Sequence, residues 1–178
     1  MNQKLIVLGV TGGIAAFKAA QLCSMLAKEF PVQVVMTENA CRFVTPLTFR
    51  TLSQRPVLTS LWTEDAEWRP RHVELADEAA FAVVAPASAN CIAKLAHGIA
   101  DDALSTFLAA YNGPLLLAPA MNPGMWRHPA CQDNVALLRR RQVGFVGPID
   151  GHVACGADGV GRMAEAEEIF AAVKKALL

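Results

Sequence analysis

The chain has no excess of charge: 16 Lys and Arg balance 16 Asp and Glu. That balance argues against nucleic acid or an anionic membrane as the main partner, since both select basic surfaces. The one basic run, Arg139-Arg140-Arg141, falls near the end of an expected helix, where solvated cations suit the helix dipole. The five cysteines (Cys23, Cys41, Cys91, Cys131 and Cys155) are odd in number, and no two have CxxC or zinc-site spacing. No metal is therefore expected, and free thiols in a reducing compartment are the simplest reading. No stretch approaches the roughly 20 apolar residues that span a bilayer. The run from Leu5 to Val10 is too short for the core of a signal peptide and ends in Gly-rich turn chemistry. The expectation is a cytoplasmic protein. Repeats, low-complexity tracts and linkers are also missing, so residues 1–178 are expected to form one domain. A domain of that length buries roughly 70% of its unfolded surface and needs no disulfide or metal staple.

What is present is apolar and alternating. The apolar fraction is 53%, which suits a sheet covered on both faces and leaves surface for self-association. Residues 5–10 are a continuous apolar run of strand length, and 32–36, 81–85, 114–118 and 143–146 also read as strands. Between them, residues 14–28, 46–53, 88–97, 101–111, 129–141 and 165–178 read as helices. On the first, Ile14, Phe17, Leu22, Met25 and Leu26 share a broad apolar face. Residues 62–71 and 149–162 read as loops. Strand–helix alternation predicts an α/β fold: a doubly wound, mostly parallel sheet with helices on both faces, in a three-layer Rossmann- or flavodoxin-like sandwich.

In such sheets ligands bind beyond the carboxyl ends of the strands, and the unusual residues lie there. Thr11-Gly12-Gly13 follows the first strand and Thr37 the second. Pro86-Ala87-Ser88-Ala89-Asn90 and Pro119-Ala120-Met121-Asn122 follow later ones. Four such loops should converge on one crevice. The glycine turn opens a helix, where free N–H groups attract phosphate, but a tight turn with no ligand reads the same way. It is neither a P-loop nor GxGxxG. Ser88 and Thr37 could bond a phosphate or simply cap helices. His72, beside Val73-Glu74-Leu75 and a polar loop, could be a surface residue; His97 and His128 read as structural. Asn122 could donate to a carboxylate or serve a turn. Cys155, in a Gly-rich loop, is less suited to core filling than Cys23.

Taken together, five segments resemble the homo-oligomeric flavin-containing cysteine decarboxylases. They are Gly9 to Ala16; His72-Val73-Glu74-Leu75; Ala85 to Asn90 with Ile92 to Ala96; Pro119 to Trp126; and Ala154-Cys155-Gly156 with Gly161-Arg162-Met163. The last is similar to the mobile substrate clamp, about 149–163, of the branch that makes 4′-phosphopantetheine from 4′-phosphopantothenoylcysteine in coenzyme A synthesis. The resemblance implies FMN, its phosphate near Gly12, Gly13, Ile14 and Thr37. Pro86, Ala87, Ser88, Asn90, Ala120 and Met121 would lie along the ribityl chain and ring. It implies catalytic roles for His72, Asn122 and Cys155, and substrate contacts from Asn122, Met125, Ala154, Gly156 and Arg162. Cys91 is a departure, because relatives often have Thr there. The implied assembly is a trimer or dodecamer with the flavin between subunits. Many bacterial relatives are fused to the ligase that makes their substrate; here that step is expected from another chain.

The chemistry explains the residues. Loss of CO₂ leaves electrons, and a cysteinyl carboxylate offers no sink for them. The order implied is oxidation by FMN to a thioaldehyde, decarboxylation to an enethiol, then re-reduction, with no net redox change. His72 would be an acid, a base or an orienting group, Asn122 would hold the carboxylate without a countercharge, and Cys155 would supply the last proton. Two alternatives share the fold: a peptidyl C-terminal cysteine or other thiol-acid decarboxylase, which stops at the enethiol in the lantibiotic branch, and a non-catalytic FMN-binding regulatory subunit of a phosphatase. Those subunits typically carry acidic tails, which this chain lacks.

Overall fold

The computed structural model describes residues 4–62, 70–152, 154 and 156–177. Five strands form one parallel sheet: β1 (Leu5–Val10), β2 (Val32–Met36), β3 (Ala79–Ala87), β4 (Leu115–Pro119) and β5 (Gly144–Phe145). Their spatial order is β2-β1-β3-β4-β5. The expected doubly wound sandwich is the fold observed.

All six residues of β1 are buried, because both faces of the sheet are covered. Ile6, Leu8 and Val10 join one core with α1 (Ala16–Ala27), α3 (Pro46–Ser53) and α9 (Ala166–Leu177). Leu5 and Val7 point the other way, into a core with α4 (Arg71–Glu78), α5 (Ala89–His97), α6 (Ala103–Ala110) and α8 (Pro129–Arg140). Period-two alternation thus splits one apolar run between two cores. Among the described residues, no helix is long and apolar enough to cross a membrane.

Three short helices depart from the expected pattern: α2 (Glu38–Cys41), α4 and α7 (Pro123–Arg127). α2 and α7 are too short to display an apolar period, and α4 carries Arg, His, Asp or Glu at five of its eight residues. α2 buries only Ala40, α4 only Leu75 and α7 only Pro123. His72 accordingly stands in the first turn of α4 rather than in a loop. The basic run does more than solvate a helix end. Arg141 donates to the Ala96 carbonyl at 2.8 Å, and the Arg139 guanidinium lies 5.3 Å from the centre of the Phe145 ring.

The expected 149–162 loop has order of its own. Antiparallel bridges pair Ile149 with Arg162 and His152 with Asp158. Ile149 N–H donates to the Arg162 carbonyl at 2.8 Å, and Gly151 and Gly159 exchange backbone bonds of 3.3 and 3.2 Å. The segment is a two-legged flap.

Candidate active site

The chain leaves β1 toward β2 on one side, and the next strand, β3, lies on the other. The crevice at this topological switch point is where such sheets take ligands. Thr11, 1% exposed, closes its base. Its hydroxyl donates to the Pro86 carbonyl at 2.7 Å and accepts from Ser88 N–H at 3.0 Å. One side chain therefore fixes the loop after β1 against the loop after β3.

The glycine turn follows. A Cβ on Gly12 would lie 2.5 Å from the Asn39 Cβ, so only glycine lets the turn pack on α2. A Cβ on Gly13 would meet nothing within 4 Å, because that side opens into a cavity. α1 begins beyond it with no side-chain cap, and the Ala16, Phe17 and Lys18 N–H groups of its first turn bond to the Gly13, Ile14 and Ala15 carbonyls at 3.0, 3.4 and 3.0 Å. Across the crevice Ser88 caps α5, its hydroxyl accepting from Cys91 N–H at 3.3 Å. The end of β4 supplies Ala120, Met121 and Asn122. Asn122 Oδ1 accepts from Gly124 N–H at 2.7 Å and caps α7. That bond fixes the amide at the end of β4, and an amide NH₂ can donate to an anion.

The flap completes the enclosure. Met121 N–H donates to the Gly161 carbonyl at 3.0 Å, and a Cβ on Gly161 would collide with the Met121 carbonyl oxygen. The returning leg can approach β4 this closely only because residue 161 is glycine. The cavity, open on the side of Ile14, Phe17 and Met125, measures about 580 Å³. The glycine turn, Ser88, Met121, Asn122, Met125, Ala154 and Arg162 all line it. Its open glycine backbone and apolar Ala120–Met121 wall suit a flat, largely apolar ring carrying a phosphorylated tail.

Of the expected site residues, Gly12, Gly13, Ile14, Ser88, Ala120, Met121, Asn122, Met125, Ala154 and Arg162 meet in this cavity. Others do not line it. Thr37 caps α2 through Ala40 N–H at 3.3 Å. Pro86 and Ala87 are buried and act through their carbonyls, which accept from Thr11 and from Ala120 N–H. Asn90 is exposed on the first turn of α5, and Gly156 is exposed with φ 82°. His72 is also absent from the lining. Cys155 lies outside the described residues.

Thr11, Phe17, Lys18 and His152 escaped sequence reasoning. Ile14 and Phe17 fit the apolar period of α1, yet each is 59% exposed. They sit in the turn before α1 and in its first turn, past the sheet edge, and both line the cavity. Cys91 is buried beneath Ser88, and burial pushes its thiol up to about 12. Among the described residues, no cluster of three or more His, Cys, Asp or Glu could hold a metal ion.

Comparison with known proteins agrees with this geometry. The flavoprotein family model matches residues 1–178. The chain belongs to the flavoprotein family. Within it, the chain is 45% identical over 176 residues to the coenzyme A biosynthesis bifunctional protein CoaBC of Bacillus subtilis, covering 98% of this chain and 43% of that protein. It spans less than half the length of the curated relatives it matches. A PPC decarboxylase variant complexed with pantothenoylaminoethenethiol superimposes with a TM-score of 0.87 at 30% identity, covering 97% of each chain. The FMN-dependent cysteine decarboxylase SpaF follows at 0.84 and 29%, covering 99% of this flavoprotein and 96% of SpaF. Overall shape separates these two neighbours by very little.

Proposed function

We propose that this flavoprotein binds FMN and decarboxylates 4′-phosphopantothenoylcysteine to 4′-phosphopantetheine. The observation that carries the reading is the meeting of the Gly12-Gly13 turn, Ser88 and Met121-Asn122 with flap residues Ala154 and Arg162 around one cavity. The Gly12-Gly13-Ile14 turn would hold the FMN phosphate. Ser88, Ala120 and Met121 would lie along the ring system. Bound FMN would supply a two-electron acceptor that returns the same electrons within one turnover.

The chain's own residues do the rest. The Asn122 amide would orient the substrate carboxylate with a neutral donor, and a full cation there would stabilise the ground state that must disappear. The flap would cover the substrate and exclude water from the reacting carbons. Cys155 would deliver a proton to the unsaturated carbon once CO₂ has left. His72 lies outside the cavity of its own chain, and Ile14, Phe17 and Met125 stand exposed around the cavity. Both features support a homo-oligomer, a trimer or a dodecamer of four trimers, in which a neighbouring copy covers the rim and supplies its own His72.

The test is direct. Purified protein should be yellow, with a flavin absorbance near one equivalent per chain. Incubated with 4′-phosphopantothenoylcysteine, it should release CO₂ and the saturated amide thiol, 4′-phosphopantetheine. Colourless protein with no affinity for FMN would sink the reading. A product two hydrogens lighter, the enethiol, would move the chain to the peptidyl-cysteine type of chemistry.

A further inference from the structure

Two cations reach the cavity, and one carboxylate holds both. Lys18 stands on α1, one turn beyond Ile14, and Arg162 on the returning leg of the flap; both line the cavity. Lys18 Nζ donates to Glu165 Oε1 and Oε2 at 2.9 and 2.8 Å. Arg162 Nη2 donates to the same Oε1 at 3.0 Å. Glu165 is the residue just before α9, and its own N–H is taken by Glu168 Oε2 at 2.9 Å. The hydrogen bond from Lys18 holds the Glu165 carboxyl below the ordinary carboxylate range.

The position of the carboxylate matters. Glu165 is not among the lining residues, whereas both of its partners are. Among the described lining residues there is no Asp or Glu and no further Lys or Arg. Three charges thus leave a net single positive charge, with the cations toward the cavity and the counterion behind them. A staple fastening the flap to α1 would need only one cation per carboxylate. The second cation, Arg162, keeps 42% of its side chain exposed beside the cavity, where an entering anion can join it without displacing Glu165. Lys18 is held at 15% exposure, so its screening by solvent is weak.

We propose that Lys18 and Arg162 form a phosphomonoester subsite, and that Glu165 is the positioning residue that aims both. The anion is the terminal phosphate of the substrate, which rests on the function proposed above. There the carboxylate is consumed and the phosphomonoester is the charge that persists from substrate to product. Arg162 spends one of its five donors on Glu165 and presents a planar fork suited to phosphate. Lys18 adds a point charge from a different element. The subsite therefore forms only when the flap leg and α1 are held together, and Glu165 holds them.

The experiment compares binding of 4′-phosphopantetheine and pantetheine to the flavin-loaded protein by calorimetry, which needs no turnover. Wild type should prefer the phosphorylated ligand at least about tenfold, the worth of one charge-assisted hydrogen bond. Lys18→Met should bring that ratio near one, with the flavin content kept and the affinity for pantetheine falling by less than that for 4′-phosphopantetheine. Lys18→Arg should restore most of the preference. Glu165→Gln should reduce it, and Glu165→Asp should recover part of it. Equal weakening of both ligands, or an unchanged ratio, would reduce the cluster to a staple. Loss of flavin with the ratio intact would assign it to the cofactor phosphate instead. If wild type discriminates the two ligands but releases no CO₂ from the cysteine-bearing substrate, the proposed reaction fails and the subsite stands. CO₂ release without discrimination sinks the subsite alone.

Discussion

The buried hydroxyl of Thr11 accepts the backbone N–H of Ser88 at 3.0 Å across the crevice between β1 and β3. The same oxygen donates to the Pro86 carbonyl at 2.7 Å. Thr11→Val keeps the shape and removes both bonds, leaving two backbone groups without their partner. Each such loss costs about 1–3 kcal/mol. Urea unfolding should register a loss of about 2 kcal/mol or more, and the protein should retain less flavin. Thr11→Ser should keep most of both. Unchanged stability of the Val variant would show that the bonds do not hold the loops.

The two ends of the cavity respond differently to a single methyl group. A Cβ on Gly13 meets nothing within 4 Å, whereas one on Gly161 meets the Met121 carbonyl. Gly13→Ala should leave the flavin-free protein's melting temperature within about a degree and weaken FMN binding. Gly161→Ala should destabilise by about 1–3 kcal/mol, the usual cost of overpacking. It should also make the flap more sensitive to limited proteolysis. Normal FMN affinity in Gly13→Ala would move the cofactor away from the glycine turn.

Asn122→Asp tests the neutral carboxylate holder. The aspartate can still accept the Gly124 N–H bond that caps α7, so the fold should survive. Its charge opposes the substrate carboxylate, and like charges in contact cost several kcal/mol. Decarboxylation measured as kcat/KM should fall by about 100-fold or more, with flavin content unchanged. Activity near wild type would remove Asn122 from carboxylate binding.

An acid limb in the stability profile should trace to Asp102. Burial alone would raise its carboxyl, but hydrogen bonds from Lys94 and Ser105 outweigh burial and lower it. A carboxyl lowered on folding adds stability that is present above its unfolded pKa, near 4, and is lost as pH falls through the lower folded value. Chemical denaturation between pH 7 and pH 2 should therefore show stability declining below about pH 4. Lys94→Met should flatten that decline. An identical limb in the variant would place the acid sensitivity elsewhere.

Cys23 and Cys91 should resist alkylation in the folded protein. Burial pushes both thiols up to about 12. At pH 8 roughly one molecule in 10,000 would then carry the thiolate, the reactive form. Mass spectrometry after iodoacetamide treatment should find both unmodified until denaturant is added. Rapid labelling of native Cys91 would contradict its burial beneath Ser88.

Much of the fold was legible because its signals are local. Leu5–Val10 and Val32–Met36 are bounded by Gly and Pro and match the observed strands residue for residue. α3 likewise begins and ends as its pattern predicts. Helices α2 and α7 are too short to show a period, and α4 is mostly charged or polar, Arg71-His72-Val73-Glu74-Leu75-Ala76-Asp77-Glu78. His72 was assigned to a loop for that reason. The flap was illegible as structure because it pairs through backbone bonds between glycines, which carry no side-chain pattern.

Site residues divide on the same physical line. Loop chemistry at strand ends pointed to Gly13, Ser88, Met121 and Asn122, because parallel strands in one sheet must end together. Thr11 looked like turn filler, and its bonds reach Pro86 and Ser88, 75 and 77 positions away. Phe17 kept a core-like position in the helical period and emerges at the cavity. Lys18 joins Glu165 across 147 residues, a distance over which no sequence spacing is informative. Composition and periodicity by themselves determined the layers, the strands and the edge of the sheet that holds the site, since these follow from burial of local apolar runs. Only tertiary structure decided which side chains meet inside the cavity, because that depends on how loops far apart in the chain hydrogen-bond once the sheet has closed.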